Sequence, residues 1–238
     1  MRQDNCDTPG SVRYPRARMT AGELRLHLGC GVDVVPGWVN IDRSPNVLIG
    51  RVPGLRRTLA AARVLTPDQA GARFPAKIVR ADVNRGLAYP DASVAFIYSS
   101  HLIEHLSRWQ ALALVRECGR VLRPGGVVRF ACPDLAVLTK AYLERKDGDE
   151  DVRRRAADLF MEELGTFEER WGNPIQRLSW RVFSAAPHQW LYDADSLIEL
   201  LRRGALTGAG QRRYREGEVP DLDRLERRPE SVFVEATR

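Results

Sequence analysis

The chain has 238 residues, enough for one domain with a sizeable core and an insertion. Its 44% hydrophobic and 29% charged content excludes a disordered or low-complexity chain. The formal charge of +6 raises nucleic acid as a partner, yet only three of the 37 basic residues are lysine. The arginines are dispersed apart from Arg153, Arg154 and Arg155 and the Arg212-Arg213 pair, which reads as solvated surface and disfavours nucleic acid. No apolar run approaches the roughly 18 residues of a membrane span, and the first residues lack the apolar core of a signal peptide. A cytoplasmic location without a membrane partner is expected. Cys6, Cys30, Cys118 and Cys132 form no Cys-x-x-Cys pair, which disfavours a thiolate metal site. Cys30, Cys118 and Cys132 sit in or beside apolar stretches and read as reduced core residues.

Residues 1–22 are polar, with Pro9, Gly10 and Pro15, and read as a flexible arm ahead of one domain over 23–238. Leu24 to Leu28 alternates as a strand does. Gly29 and Gly31 then end it with a turn that needs positive φ or close backbone approach. Trp38 to Asp42 is a second short strand ending in an acid. A glycine turn after one strand and a carboxylate at the tip of the next is how an α/β sheet grips a nucleoside. Asp42 follows Gly29 by only 13 positions, against roughly 20 in the dinucleotide fingerprint, and the third glycine is missing, so a pyrophosphate cradle is not expected.

Leu55 to Val64 suits a short helix, and Pro67 stands at the first position of another. Lys77 to Arg80 is a third strand, ending at Ala81-Asp82-Val83. Val94 to Tyr98 is apolar without alternation, as inside a parallel sheet, and delivers Ser99, Ser100 and His101 at its carboxyl end. His101 to Leu114 reads as helix, and the stretch from Trp109 to Val121 is amphipathic. Leu122 to Gly126 turns into a fifth strand, Val127 to Pro133. Residues 134–186 exceed what a crossover needs. Helices over Leu135–Arg145 and Val152–Leu164, with Phe167, Trp171, Trp180 and Phe183, read as a helical insertion that serves as a substrate lid or a dimer contact, or packs as core. Ala186 to Asp193 leads into an amphipathic helix from Asp195 to Arg203. Arg212 to Arg228 reads as a polar link, and Ser231 to Ala236 as a last strand.

The Leu26-His27-Leu28-Gly29-Cys30-Gly31 turn and the Gly37-Trp38-Val39-Asn40-Ile41-Asp42 strand resemble motifs I and II of the class I S-adenosylmethionine-dependent methyltransferases, in their type 11-like branch. Arg120 to Gly126 and His188-x-x-x-Tyr192 before Leu197-x-x-Leu200-Leu201 are similar to later segments of the same branch. The resemblance covers residues 25–135 closely and 186–238 more loosely. It implies a Rossmann-like, seven-stranded, mostly parallel sheet flanked by helices, with the insertion after strand five. It further implies S-adenosylmethionine held by Gly29, Cys30, Gly31, Asp42, Asp82, Val83, Ser99 and Ser100, with Asp42 on the ribose and Asp82 on the adenine amino group. The activity implied is O-methylation of a hydroxyl on a sugar, glycan or specialised metabolite. A nucleic-acid methyltransferase and a non-catalytic nucleoside-binding subunit are the alternatives, and a homodimer is compatible with either.

Methyl transfer to a hydroxyl gains from a base, and histidine suits that role. His27 lies in the first strand and reads as packed. His101, Glu104 and His105 have i, i+3, i+4 spacing, hence one helical face, and His188 begins a segment able to fold back over it. His105, His101 and His188 are therefore the expected catalytic residues, with purely structural histidines as an alternative reading. The His-x-x-Glu-His run resembles the Glu-x-x-Glu-His of magnesium-using ubiquinone and small-RNA O-methyltransferases, with His101 in place of their first acid. Imidazoles suit Mg²⁺ poorly, so a divalent metal is the disfavoured alternative and no metal ligand is assigned.

Overall fold

The computed structural model describes residues 24–165, 175, 182 and 186–238. The expected arm and the four insertion aromatics Phe167, Trp171, Trp180 and Phe183 lie outside the described residues.

Seven strands build one sheet: β1 (Leu24–Leu28), β2 (Val39–Asp42), β3 (Val79–Arg80), β4 (Val94–Ser100), β5 (Leu122–Pro133), β6 (Thr207–Arg212) and β7 (Ser231–Thr237). Their order across the sheet is β3-β2-β1-β4-β5-β7-β6. The first five run parallel, and β7 is antiparallel to both β5 and β6. The helices are α1 (Asn46–Gly50), α2 (Leu55–Ala61), α3 (Pro67–Gly71), α4 (Arg108–Val121), α5 (Leu135–Lys146), α6 (Glu150–Glu163), α7 (Ala194–Arg203) and α8 (Leu222–Leu225). This is the Rossmann-like α/β sheet flanked by helices, and α5 and α6 follow the fifth strand.

Alternation along the strands divides two cores. On one face Leu26, Leu28, Ile41, Ile97, Val128 and Phe130 pack against Leu114, Val115 and Cys118 of α4 and Leu197 and Leu201 of α7. On the other, Trp38, Tyr98 and Val127 are covered by Val219, Leu222 and Leu225. Residues 212–228, expected as a polar link, thus supply the cover for half the sheet.

Arg129 of β5 explains how so polar a segment is held. Its side chain is fully buried. Nε donates to Glu226, Nη1 to the Glu216 carbonyl at 2.9 Å and Glu235 Oε1 at 3.1 Å, and Nη2 to the Arg213 carbonyl at 2.8 Å. One guanidinium therefore gathers the whole link, and its buried charge is matched by two carboxylates. At the sheet's other end Asp221 accepts from Arg25 Nη1 at 2.9 Å and Trp38 Nε1 at 3.0 Å.

Other elements also differ from the sequence reading. The helix expected from His101 begins at Arg108, because the Ser107 amide donates to Gln110 Oε1 at 3.0 Å in a capping box that fixes the first turn. The strand β6, Thr-Gly-Ala-Gly-Gln-Arg, was not expected. It lies at the sheet edge and its glycines give no β signal, so its existence follows from pairing with β7 rather than from its own preference.

Inside β1, His27 is buried and its Nδ1 donates to Asn40 Oδ1 at 3.2 Å. Asn40 also holds the Val35 and Trp38 carbonyls at 3.0 and 2.9 Å. Burial pushes the His27 imidazole down to about 4, against the opposing Asn40 hydrogen bond. Two predictions follow from these buried groups. Arg129→Met leaves Glu226 buried without its cation and Glu235 with only Arg212 at 3.3 Å, and is expected to cost about 3–5 kcal/mol in urea unfolding. For His27, the unfolded chain takes up a proton near ~6.5 and the folded one only near 4. Between those values the unfolded state binds more protons, so stability rises with pH and is lost on acidification, by about 3 kcal/mol in all. Unfolding curves from pH 7 to 4.5 are expected to show this slope, and His27→Gln to flatten it.

Candidate active site

The chain runs from β1 outward through β2 to β3, then returns to place β4 on the other flank of β1. Beyond the carboxyl ends of strands at such a reversal lies the crevice where α/β sheets hold ligands. Gly29 at φ +69° and Gly31 at φ +54° carry the chain out of β1 through the left-handed region. The Gly29 and Cys30 amides both donate to the Ile41 carbonyl, at 2.8 and 3.1 Å, and this ties the turn to β2. The Gly31 amide donates to Asp42 Oδ2 at 2.8 Å and the Ser44 amide to Oδ1 at 2.6 Å. The carboxylate is so fixed in direction, with a lone pair left on each oxygen. A Cβ placed on Gly31 would meet nothing within 4 Å. The turn therefore faces open space, which suits a nucleoside.

An open pocket occupies the crevice. Gly29, Ile41 and Asp42 form one side, Ala81, Asp82, Val83 and Asn84 a second, and Leu102, His105 and Leu106 a third; Arg43, Gln110, Ala186 and Gln189 complete it. Asp82 Oδ1 accepts the Asn84 amide at 3.1 Å, and Arg43 Nη1 stands 3.8 Å from Oδ2. Of the eight residues expected at the cofactor, Gly29, Asp42, Asp82 and Val83 line this pocket, and Gly31 orients Asp42. Cys30 enters only through its backbone. Its side chain packs with Val47 and Ile78, and burial pushes the thiol well up. Ser99 is buried with its hydroxyl unpartnered among the described residues, and neither it nor Ser100 reaches the pocket wall.

The three expected catalytic histidines converge, though not on a helical face. His101 stands at φ +50°, and residues Ile103–His105 form a single 3-10 turn. Glu104, fully buried, is their common neighbour. His101 Nδ1 lies 3.1 Å from Glu104 Oε1, while its Nε2 meets Ser231 Oγ at 3.0 Å. His188 Nε2 lies 3.9 Å from Glu104 Oε1. The rings of His105 and His188 meet edge to face at 4.8 Å. His188 arrives by backbone pairing: the Gln189 and Trp190 amides donate to the Glu104 carbonyl at 2.7 and 3.1 Å, and Gln189 Nε2 to the His105 carbonyl at 2.8 Å. Burial lowers the His188 pKa, with the Glu104 charge opposing it. Only His105 belongs to both the cluster and the pocket wall. The sequence reading placed Glu104 on the histidine face without giving it a role, and passed over Arg43, Asn84, Gln110 and Gln189. The Ser107…Gln110 capping box was the signal that could have corrected the helix start.

Comparison with known proteins agrees with this geometry. The family model of a methyltransferase domain matches residues 26–130, the span from β1 to β5. Over that span the chain is similar to the S-adenosylmethionine-dependent methyltransferases. It is similar to a probable S-adenosylmethionine-dependent methyltransferase of Mycolicibacterium smegmatis, at 43% identity over 131 residues. That match covers 52% of this chain and 43% of the relative, so the chain spans less than half the relative's length. Among solved structures, a SAM-dependent methyltransferase from Archaeoglobus fulgidus has a TM-score of 0.48 at 14% identity, covering 92% of this chain and 87% of that one. The methyltransferase SibL in its apo form has a TM-score of 0.46 at 18% identity, covering 92% of this chain and 51% of that one. No helix among the described residues is long and apolar enough to cross a membrane.

Proposed function

We propose that the protein transfers the methyl group of S-adenosylmethionine to a hydroxyl oxygen of a sugar, glycan or specialised metabolite. The observation that carries this reading is the join between pocket and cluster: His105 borders the pocket that Asp42 and Asp82 line and touches the buried Glu104–His188 group. A neutral hydroxyl is a poor nucleophile, and histidine and carboxylate groups beside it are what its deprotonation needs.

When bound, the donor supplies an electrophilic methyl carbon on a sulfonium. Asp42, held by the Gly31 and Ser44 amides, would accept from the ribose hydroxyls, and Asp82 and Val83 would receive the adenine. With the donor held there, a hydroxyl oxygen would take its methyl group, the electron pair would stay on sulfur, and the hydroxyl proton would pass to the histidine cluster. Little covalent help is needed, so alignment of oxygen, carbon and sulfur carries much of the rate. The α5–α6 insertion, which touches the cluster through Leu164, is suited to select the acceptor.

Asp42→Ala is expected to weaken S-adenosylmethionine binding by about 1.5–3 kcal/mol for each charge-assisted hydrogen bond lost. Calorimetry reads this directly, and unchanged affinity would remove Asp42 from the site. His105→Ala is expected to keep donor affinity while turnover falls ~10²–10⁴-fold. A labelled-methyl assay over a panel of hydroxyl-bearing acceptors checks it, and transfer only to nitrogen acceptors would refute the O-methyl reading.

A further inference from the structure

Beside the cofactor crevice lies a second groove, where the start of α4 meets α7 and the segment that leads into it. Arg108 and Trp109 come from α4, Trp190 and Tyr192 from the segment before α7, and Glu199 and Arg203 from α7 itself. The donor site uses none of them. Yet this is not ordinary surface. Trp109 is 72% exposed and Trp190 43%, so two large aromatic side chains are left in water at one place. The Arg108 guanidinium lies 4.7 Å from the centre of the Trp190 ring and braces that indole. Arg108, Glu199 and Arg203 make no ion pair among the described residues, so charges of both signs stand free beside the rings. Tyr192 is buried, and its hydroxyl has no hydrogen-bond partner among the described residues.

This combination suits one chemistry. A pyranose carries an apolar face of C–H groups and a rim of hydroxyls. An indole takes the face by dispersion, while guanidinium donors and carboxylate oxygens take neighbouring hydroxyls on the rim. A protein partner would bury free charges among the aromatics, and interface cores are depleted in charge. Single-stranded nucleic acid would stack on the indoles but bring its phosphates against Glu199. The groove also adjoins the crevice. Trp109 precedes Gln110 and Trp190 follows Gln189, and both glutamines line the cofactor pocket. The Trp190 amide donates to the Glu104 carbonyl at 3.1 Å, which fixes the groove to the histidine cluster. We infer that the groove is a saccharide subsite, which holds the sugar next to the one presented to His105. Trp109 and Trp190 are its stacking faces, and Arg108, Glu199 and Arg203 meet the hydroxyls. The acceptor is then an oligosaccharide rather than a single ring. Its methylation rests on the O-methyl reading; its binding in the groove does not.

The test screens the full chain, with S-adenosylhomocysteine present, against an array of neutral di- to tetrasaccharides. The best binder then goes to calorimetry beside its own single sugar. The oligosaccharide is expected to bind roughly 10-fold or more tightly than the single sugar. Trp109→Ala and Trp190→Ala, checked for fold by circular dichroism, are each expected to weaken it by roughly 10-fold or more and to raise its KM. Both are expected to keep wild-type affinity for S-adenosylmethionine and wild-type turnover of the single sugar. No binder on the array, or wild-type oligosaccharide affinity in both variants, would overturn the subsite. A dimer that dissociates in Trp109→Ala would overturn it in favour of a second copy of the chain. Tighter binding of a single-stranded RNA oligomer, falling steeply with salt, would overturn it in favour of nucleic acid. Methyl transfer to single-ring hydroxyl acceptors without oligosaccharide affinity would overturn the subsite and leave the O-methyl reading intact. Oligosaccharide bound at the tryptophans, with no methyl group taken up by any hydroxyl, would leave the subsite standing and defeat that reading.

Discussion

Two backbone amides, those of Gly29 and Cys30, share one acceptor, the Ile41 carbonyl. That pairing locks the turn after β1 to the strand beside it, and much of the site follows. It can form only where two residues of the turn accept left-handed backbone, as Gly29 and Gly31 do. Once it forms, the Gly31 amide reaches Asp42, and the carboxylate is aimed from its own strand end rather than left to wander. The pocket is then bounded on one side by backbone and on the other by the Asp82 turn, at the reversal of strand order where an α/β sheet opens.

The other half of the site is assembled from distant parts of the chain. Glu104 lies on a short 3-10 turn after β4, and residues 188–190 are stapled to it by two backbone hydrogen bonds. The carbonyl of Leu164, just past α6, accepts a hydrogen bond from His188 Nδ1 at 2.9 Å. The insertion after β5 is therefore mechanically part of the histidine cluster. An acceptor bound at the edge of the pocket would meet side chains oriented by an element that lies outside the sheet.

What could be read in advance was what local pattern encodes. The apolar runs, the glycine turn and the acid at the tip of β2 each leave a signature within a few residues, and the parallel core follows from them. Asn40 and Trp38 belong to the recognisable pattern, but their work is structural: Asn40 holds the Val35 and Trp38 carbonyls and Trp38 anchors Asp221. Contacts across long separations in sequence left no such mark. Arg129 sits in a strand that reads as apolar, and of its acids Glu226 lies in a stretch that reads as a polar link and Glu235 in the last strand, so their burial together could not be seen from any one of them. The β6 edge failed for lack of any β preference in Thr-Gly-Ala-Gly-Gln-Arg. The residues of the expected histidine face lie close together, but not on a helix. Spacing of three and four suggested a helix, whereas Ser107 and Gln110 start it later and leave His101 in left-handed backbone.

The central claim is that the crevice at β1 and β4 is a nucleoside site aimed by Asp42. A crystal structure of the full chain with S-adenosylhomocysteine tests it most directly. The account predicts both ribose hydroxyls within hydrogen-bond distance of the Asp42 carboxylate, the adenine against Asp82 and Val83, and the sulfur toward His105. A nucleoside bound elsewhere, with Asp42 engaged only by the Gly31 and Ser44 amides, would contradict it.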